Sequence, residues 1–330
     1  MLNNIQWGII GCGDVTEIKS GPAFNKIPHS HLYAVMRRNK DKAKDYAARH
    51  NVPRWYDDAY ALIADPQVNA VYVATPPSSH EEYAVAAINA GKHVYLEKPM
   101  CMDAASAKRI ADAAKSSNVK LSIAHYRRQL PLFKKIKQLL DEKYIGDILY
   151  ASLELFQPVK AKGFEPTPQY WRLDPAVSGG GLFHDLSPHQ LDLMLYFFGK
   201  PAYAGGTSLN QGDIYKADDM VAGTVRFDNG TVMNGVWCFT VPEQEAKDNC
   251  TFIGSEGSMQ FSIFTMEHLS IMKKGTKEDI RFDPVAHVQQ PMITAVVDHF
   301  LGEAPNPCSG DEGVTVMEMI DGFTSANKKR

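Results

Sequence analysis

Ile5-Gln6-Trp7-Gly8-Ile9-Ile10 runs straight into Gly11-Cys12-Gly13-Asp14-Val15-Thr16, and the reading of the chain begins there. The first six residues form an apolar run of the kind found in a strand buried on both faces. Gly11 permits a tight turn and Gly13 lets backbone approach a pyrophosphate. The helix expected to follow offers N–H groups and a partial positive charge to that anion. Gly11, Gly13, Asp14 and Val15 are therefore the expected contacts of a dinucleotide. Thr16 stands where the fingerprint has its third glycine or alanine, so helix and strand must pack slightly further apart there. A lone G-x-G is an ordinary glycine turn; its place after the first strand of an alternating pattern gives it meaning.

That pattern continues outward. Leu32 to Met36, Ala70 to Ala74, His93 to Leu96 and Lys120 to Ala124 read as further strands. Asp41 to His50, Tyr56 to Ala64, Glu81 to Ala90 and Asp103 to Ser117 read as helices between them, with Gly91 as a stop signal. Strand alternating with helix makes a parallel sheet covered on both faces. After about residue 145 the rhythm changes. Ile148 to Phe156, Met220 to Phe227, Thr231 to Phe239, Asn249 to Ile253, Ser258 to Phe264 and His268 to Lys273 look like strands. Asp228-Asn229-Gly230 is a hairpin signal, and Ser255-Glu256-Gly257 a weaker one. The fold class is α/β: an N-terminal Rossmann-type parallel sheet plus a C-terminal α+β domain with a mostly antiparallel open sheet. The expected domains are 1–124 for the dinucleotide and 125–330 for substrate and oligomerisation.

Composition sets the limits. A chain of 330 residues with 44% hydrophobic and 22% charged residues is folded, not fibrous or disordered. Lys and Arg number 35 against 38 Asp and Glu, which argues against a nucleic-acid partner. The five cysteines, Cys12, Cys101, Cys238, Cys250 and Cys308, are scattered and contain no C-x-x-C pair. They imply neither a disulfide framework nor a zinc site, and they fit a reducing cytoplasm. Leu191 to Phe198, the most apolar later stretch, is too short to span a bilayer. The start of the chain lacks the basic n-region of an export signal. The expectation is a cytoplasmic protein without a membrane segment.

The choice of dinucleotide falls at the end of the second strand. A carboxylate about 20 positions past the glycines would bond the ribose 2′-OH and favour NAD. The sequence there is Val35-Met36-Arg37-Arg38-Asn39, with no carboxylate until Asp41. Two guanidiniums suit a 2′-phosphate. The competing reading is a solvated basic helix start, given Lys40, Lys42 and Lys44, although a helix N-terminus disfavours cations. Arg37 and Arg38 therefore point to NADP(H), with NAD still possible.

Three further motifs converge: Ala74-Thr75-Pro76-Pro77-Ser78-Ser79-His80 after the third strand, Glu97-Lys98-Pro99 after the fourth, and Gly179-Gly180-Gly181-Leu182-Phe183-His184-Asp185-Leu186-Ser187-Pro188-His189-Gln190-Leu191-Asp192 in the second half. Together with the glycine fingerprint they resemble the Gfo/Idh/MocA oxidoreductases, the family of glucose–fructose oxidoreductase and inositol dehydrogenase. The resemblance covers nearly the whole chain. It implies catalytic roles for Lys98, Asp185 and His189. It also places Glu97 and the segment Thr75, Pro76, Pro77 to His80 against the nicotinamide half of the cofactor, where a cis Lys98-Pro99 bond would fix the lysine's direction.

The chemistry can also be argued from the residues. Ligands bind beyond the carboxyl ends of strands in such sheets, and Thr75 and Lys98 both stand there. Hydride transfer needs a group to move the hydroxyl proton, because the cofactor handles only the hydride. His189 has the titration range for that work. Lys98 would hold the reacting oxygen as negative charge develops. Asp185 shares a helical face with His189 if both lie on one helix, but Pro188 equally suits a helix that starts there. In either case Asp185 orients His189 or binds a sugar hydroxyl. Each residue alone has an ordinary structural reading, and the joint set is what carries the assignment.

Other positions are softer. Arg172, in Tyr170-Trp171-Arg172, matches a family segment that approaches substrate. His125-Tyr126-Arg127-Arg128 either lines the pocket or forms a basic linker. Asp192 is a substrate ligand, a helix-surface charge or a structural partner, and His287 caps or packs. No cluster has metal-ligand spacing, so no metal is expected. The resulting expectation is an NADP(H)-dependent oxidoreductase acting on a sugar, cyclic polyol or related hydroxylated ring. The resemblance also implies a homodimer or homotetramer formed through the C-terminal sheet. Two rival readings remain: an NAD(P)-binding regulatory protein without turnover, and a nicotinamide-dependent redox-neutral glycosidase.

Overall fold

In the computed structural model, which describes residues 2–159 and 170–324, the opening stretch is a central strand, β1 (Ile5–Ile10). Five more strands join it: β2 (Ser30–Met36), β3 (Arg54–Tyr56), β4 (Ala70–Val73), β5 (His93–Leu96) and β6 (Leu121–Ile123). All pair in parallel, in the order β3-β2-β1-β4-β5-β6. Successive connections reverse direction at β1, which makes the carboxyl ends of β1 and β4 the switch point where such sheets bind ligands. Every residue of β4 is buried, as a strand covered on both faces requires.

Two short elements depart from the sequence reading. β3 is a three-residue edge strand just before the expected helix, which begins later, at Ala59, where the Asp58 carboxylate accepts from the Ala61 N–H at 2.7 Å. The helix after the glycines is only Asp14–Ile18, followed by Gly21–Phe24. Pro22 explains the break, since it lacks an N–H and its ring blocks the carbonyl four residues back. An ion pair compensates. Arg49, at the end of helix Lys40–Arg49, holds Glu17 at 2.8 Å and lowers its carboxyl to about 2 against the opposing effect of burial.

Contacts divide the chain into two units, Met1–Gln129 with Val285–Val314 and Leu130–Pro284 with Thr315–Arg330. This differs from the expected boundary at 124/125, because a late segment returns to the first unit. The Ile123 N–H donates to the Cys308 carbonyl at 3.0 Å. Lys120 Nζ donates to the carbonyls of His299 at 2.5 Å and Phe300 at 3.1 Å. From helix Gln290–Leu301, the Phe300 ring lies 5.6 Å from Trp7, which also meets Phe24 at 4.8 Å. Trp7 is fully buried and its indole N–H donates to Ser30 Oγ at 3.0 Å, so its burial strands no donor.

Among the described residues the second unit is built on eight strands: β7 (Ile148–Phe156), β8 (Pro201–Leu209), β9 (Met220–Phe227), β10 (Val232–Cys238), β11 (Lys247–Gly254), β12 (Gly257–Phe261), β13 (His268–Lys273) and β14 (Thr276–Arg281). Their order is β14-β13-β12-β11-β7-β10-β9-β8, and among these pairs only β7 with β10 is parallel. β8 and β14 went unread in the sequence, and both are edges. β8 carries Pro201, Gly205 and Gly206, and β14 is largely charged, as edges that resist further pairing are. One face of the sheet is covered by helix Gly181–Phe198: Phe198 packs 4.9 Å from Phe252 and 5.3 Å from Phe227. Trp237 Nε1 donates to Gln190 Oε1 at 2.6 Å.

Phe300→Ala should destabilise the first unit by about 3–5 kcal/mol, the usual cost of removing a buried aromatic ring. Urea unfolding of the full chain measures this, and a loss below about 1 kcal/mol would show that the returning segment does not hold the core.

Candidate active site

The glycine loop packs against the end of β4. Gly11 has φ +92, and a Cβ there would lie 2.8 Å from Thr75 Cγ2 and 2.9 Å from the Ala74 carbonyl. Glycine is thus required both by the backbone conformation and by contact with the end of β4. Gly13 is different. Its φ is −122, and a Cβ would come no closer to the protein than 3.9 Å. The fold's own packing does not need a glycine at position 13. The open space suits close approach of a ligand's phosphates, with the first-turn N–H groups of Asp14 and Val15 beside it. Thr16 is buried and donates through Oγ1 to the Gly13 carbonyl at 2.8 Å.

At the end of β2, Arg37 is half-buried and its guanidinium donates to the Cys12 carbonyl at 3.3 Å, so it lies across the glycine loop. Arg38 is exposed. Asn39 caps the next helix, accepting from the Lys42 N–H at 3.0 Å. Burial pushes the Cys12 thiol up to about 11, against the pull of Arg37, which leaves it a packing residue. The loop and the two arginines fit the adenosine and pyrophosphate parts of a dinucleotide.

The loops after β4 and β5 are joined by one imidazole. His80 is fully buried; Nε2 meets the Thr75 carbonyl at 2.7 Å and Nδ1 meets the Pro99 carbonyl at 3.0 Å. Burial holds its pKa below the usual range. His80 was expected to touch the cofactor. Both of its ring nitrogens face backbone carbonyls, so it sits between the loops after β4 and β5. Ser79 Oγ donates to Thr75 Oγ1 at 2.8 Å and to the Pro76 carbonyl at 3.1 Å; Thr75 and Pro76 are half-buried, Pro77 buried.

Glu97 also turns inward. Its carboxylate is 6% exposed and accepts from the Tyr72 hydroxyl, from Gln289 Nε2 at 2.8 Å and from the Lys98 N–H at 3.1 Å. Tyr95 OH donates to Gln289 Oε1 at 3.4 Å, which completes the network. Lys98 is half-buried at the end of β5, and the Lys98-Pro99 peptide is cis, as the family resemblance implied. His125 lies within the field of Lys98. Burial, then Arg128 and Lys98, hold its pKa well below the usual range, so its ring is neutral. Arg128 is committed elsewhere, to Glu312, whose Oε2 accepts from the Ser309 N–H at 2.7 Å in a capping box. His287 packs by accepting from Lys26 at 2.5 Å and donating to the Ile18 carbonyl at 2.8 Å. Sequence reasoning missed Gln289 because nothing local marks a residue whose partner lies 192 positions away.

In the second unit, helix Gly181–Phe198 carries the other candidates, with Pro188 inside it. Asp185 and His189 therefore stand four residues apart on one helical face. The triple glycine has a packing reason. A Cβ on Gly180 would lie 2.1 Å from His184 Nδ1, and one on Gly181 2.3 Å from Ala217 Cβ. Asp185 accepts from Arg172 Nε at 3.0 Å, and that guanidinium lies 4.4 Å over the Trp171 ring and 5.4 Å over Tyr170. Burial alone would lower the Arg172 pKa; Asp185 and Tyr170 more than offset it, and the net shift is upward. His189 is 6% exposed and meets the Phe264 ring edge-on at 6.0 Å. Phe264 is placed in turn by Asp248, which accepts from its N–H at 2.7 Å and from Ile263 at 3.3 Å. Asp192 is 1% exposed, which removes the helix-surface reading. Among the described residues no group of three or more His, Cys, Asp or Glu is arranged to hold a metal ion, and no helix is long and apolar enough to cross a membrane.

The chain matches the family model described as "Oxidoreductase family, NAD-binding Rossmann fold" over residues 5–125, and the "GFO/IDH/MocA C-terminal domain" over residues 133–260. It is 46% identical over 323 residues to Oxidoreductase P35 of Formosa agariphila, covering 98% of this chain and 99% of that one. It is 26% identical over 320 residues to 1,5-anhydro-D-fructose reductase of Ensifer adhaerens, covering 94% and 92% of the two chains. A solved levoglucosan dehydrogenase in complex with NADH and levoglucosan superposes with a TM-score of 0.86 at 22% identity, over 97% of this chain and 96% of that one, which shows the shared fold.

Because a side chain at position 13 meets open space, Gly13→Val should leave the fold and its melting temperature unchanged. Its affinity for NADPH, followed by ligand fluorescence, should fall by at least about tenfold. Unchanged affinity would mean that no phosphate approaches this loop.

Proposed function

Because the chain belongs to the Gfo/Idh/MocA oxidoreductase family, we propose that it is an NADP(H)-dependent enzyme acting on a carbinol carbon of a sugar, cyclic polyol or related hydroxylated ring. The observation that carries this reading is the cradle itself: an open Gly13 beside a half-buried Arg37, two strands from a Lys98 whose peptide is pinned by a buried carboxylate. The names of the related reductase and dehydrogenase, for a sugar derivative and an anhydrosugar, support the substrate class.

Bound nicotinamide supplies the hydride donor or acceptor. The protein's work is to bind, orient and move one proton. Arg37 and Arg38 bind a 2′-phosphate with charge-assisted hydrogen bonds, which is the basis for NADP(H) over NAD. Lys98 holds the reacting oxygen and stabilises its developing charge. His189 takes the hydroxyl proton in oxidation and returns it in reduction. Arg172 and Asp185, paired and seated on Trp171, offer donor and acceptor side by side to ring hydroxyls. Thr75, Pro76 and Pro77 line the cofactor's nicotinamide half, with His80 and Glu97 acting from behind. On the sheet face away from the helix, Tyr203, Leu209, Ile253 and Met272 are exposed, and a homodimer or homotetramer formed there would cover them. Its five free cysteines suit the cytoplasm.

The protein mixed with NADP+ and a panel of sugars and cyclic polyols, or with NADPH and their keto forms, should change the nicotinamide absorbance. Lys98→Met and His189→Ala should each lower turnover by at least about 100-fold. A loss of only a few fold would refute the assigned roles. Cofactor binding without turnover on any substrate would favour a regulatory protein, and release of a chromogenic aglycone with no net nicotinamide change would favour a glycosidase.

A further inference from the structure

The Glu97 carboxylate is an anion held inside the first unit by neutral donors. Its partners are a phenol, a side-chain amide and a peptide N–H, which solvate the charge without cancelling it. Its position along the sheet matters. The dinucleotide's ribose phosphate belongs at the end of β2, by Arg37 and Arg38, and its pyrophosphate at the end of β1, by Gly13. With the strand order β2-β1-β4-β5, the remaining half runs on past β4 to β5, across strands spaced by about 4.8 Å. A Cβ at Gly11 would meet Thr75, and the His80 ring lies between the carbonyls of Thr75 and Pro99, so the ends of β1, β4 and β5 are packed side by side.

We propose that Glu97 tunes the reduction potential of the bound nicotinamide, a role that rests on the cofactor reading given above and goes beyond binding. The oxidised ring carries a formal positive charge. Taking a hydride, two electrons and a proton, from the carbinol carbon cancels that charge, while the hydroxyl proton leaves separately to the base. A buried anion stabilises the charged ring and does little for the neutral one. By linkage, NADP+ binds more tightly relative to NADPH than it would without the carboxylate, and the bound couple becomes harder to reduce. Bound NADPH is then a stronger hydride donor than the same cofactor in a protein without this charge, and the equilibrium on the enzyme moves towards the alcohol. Lys98 carries the opposing charge. Its effect is common to the wild type and Glu97→Gln, so the difference between those two isolates the carboxylate, and Gln289→Lys tests the same charge by offsetting it.

The test is equilibrium binding of NADP+, NADPH and 2′,5′-ADP, a probe without nicotinamide, to the full chain. The proteins compared are the wild type, Glu97→Gln, which removes the charge, and Gln289→Lys, which neutralises it by pairing. The ratio of the NADPH to the NADP+ dissociation constant should fall about tenfold in both variants, about 1.4 kcal/mol, with 2′,5′-ADP binding unchanged. If Glu97→Gln does not fold, Gln289→Lys decides the question alone. A ratio within about twofold of wild type, in a variant that still binds 2′,5′-ADP normally, overturns the proposal. A wild-type protein that binds none of the three probes overturns the cofactor reading, and this inference with it.

Discussion

Hydrogen bonds from Tyr72, Gln289 and the Lys98 peptide to one buried carboxylate are the constraint on which the first unit's chemistry depends. A charge removed from water without such donors costs several kcal/mol, so the Glu97 position depends on hydrogen-bond donors being supplied to it. They come from β4, from the returning segment and from the turn itself. The same three bonds therefore hold sheet, late segment and the Lys98 turn in one arrangement. His80 acts in parallel through the carbonyls of Thr75 and Pro99. Lys98 thereby leaves β5 from a backbone fixed on both sides, which is the preorganisation an electrostatic role demands.

The second unit meets the same demand by different means. Helix Gly181–Phe198 is anchored by Phe197, Phe198 and Gln190 against the sheet, and its first turns carry Asp185 and His189. The glycines before it are there because His184 and Ala217 occupy the space that side chains would fill. Asp248 lies far from this helix in sequence, yet it shapes the loop that sets Phe264 against the His189 ring. Residues far apart in sequence thus shape the surroundings of the His189 ring.

What the sequence showed and what it hid follow from range. β1, the glycine loop, the Lys98 turn and the core strands of both sheets were legible, because apolar runs and turn residues are local signals. β3, β8 and β14 were not, because edge strands are short or filled with charge, proline and glycine to prevent pairing. Asp185 and His189 were read with their helical register open, and the structure closes it by carrying the helix through Pro188. His80 and Glu97 were recognised as motif residues, but their direction was not legible: both face inward, towards partners that only the fold brings near. Gln289 and Phe300 lie in a segment whose return to the first unit no local pattern announces.

A crystal structure of the chain with NADP+ tests the central claim most directly. The 2′-phosphate is expected at Arg37 and Arg38, the pyrophosphate over Gly13, and the nicotinamide ring at the ends of β4 and β5 with its reacting carbon towards the Lys98 amine. A cofactor bound in the reverse sense, with nicotinamide at the end of β2, or seated away from the carboxyl ends of these strands, would contradict it.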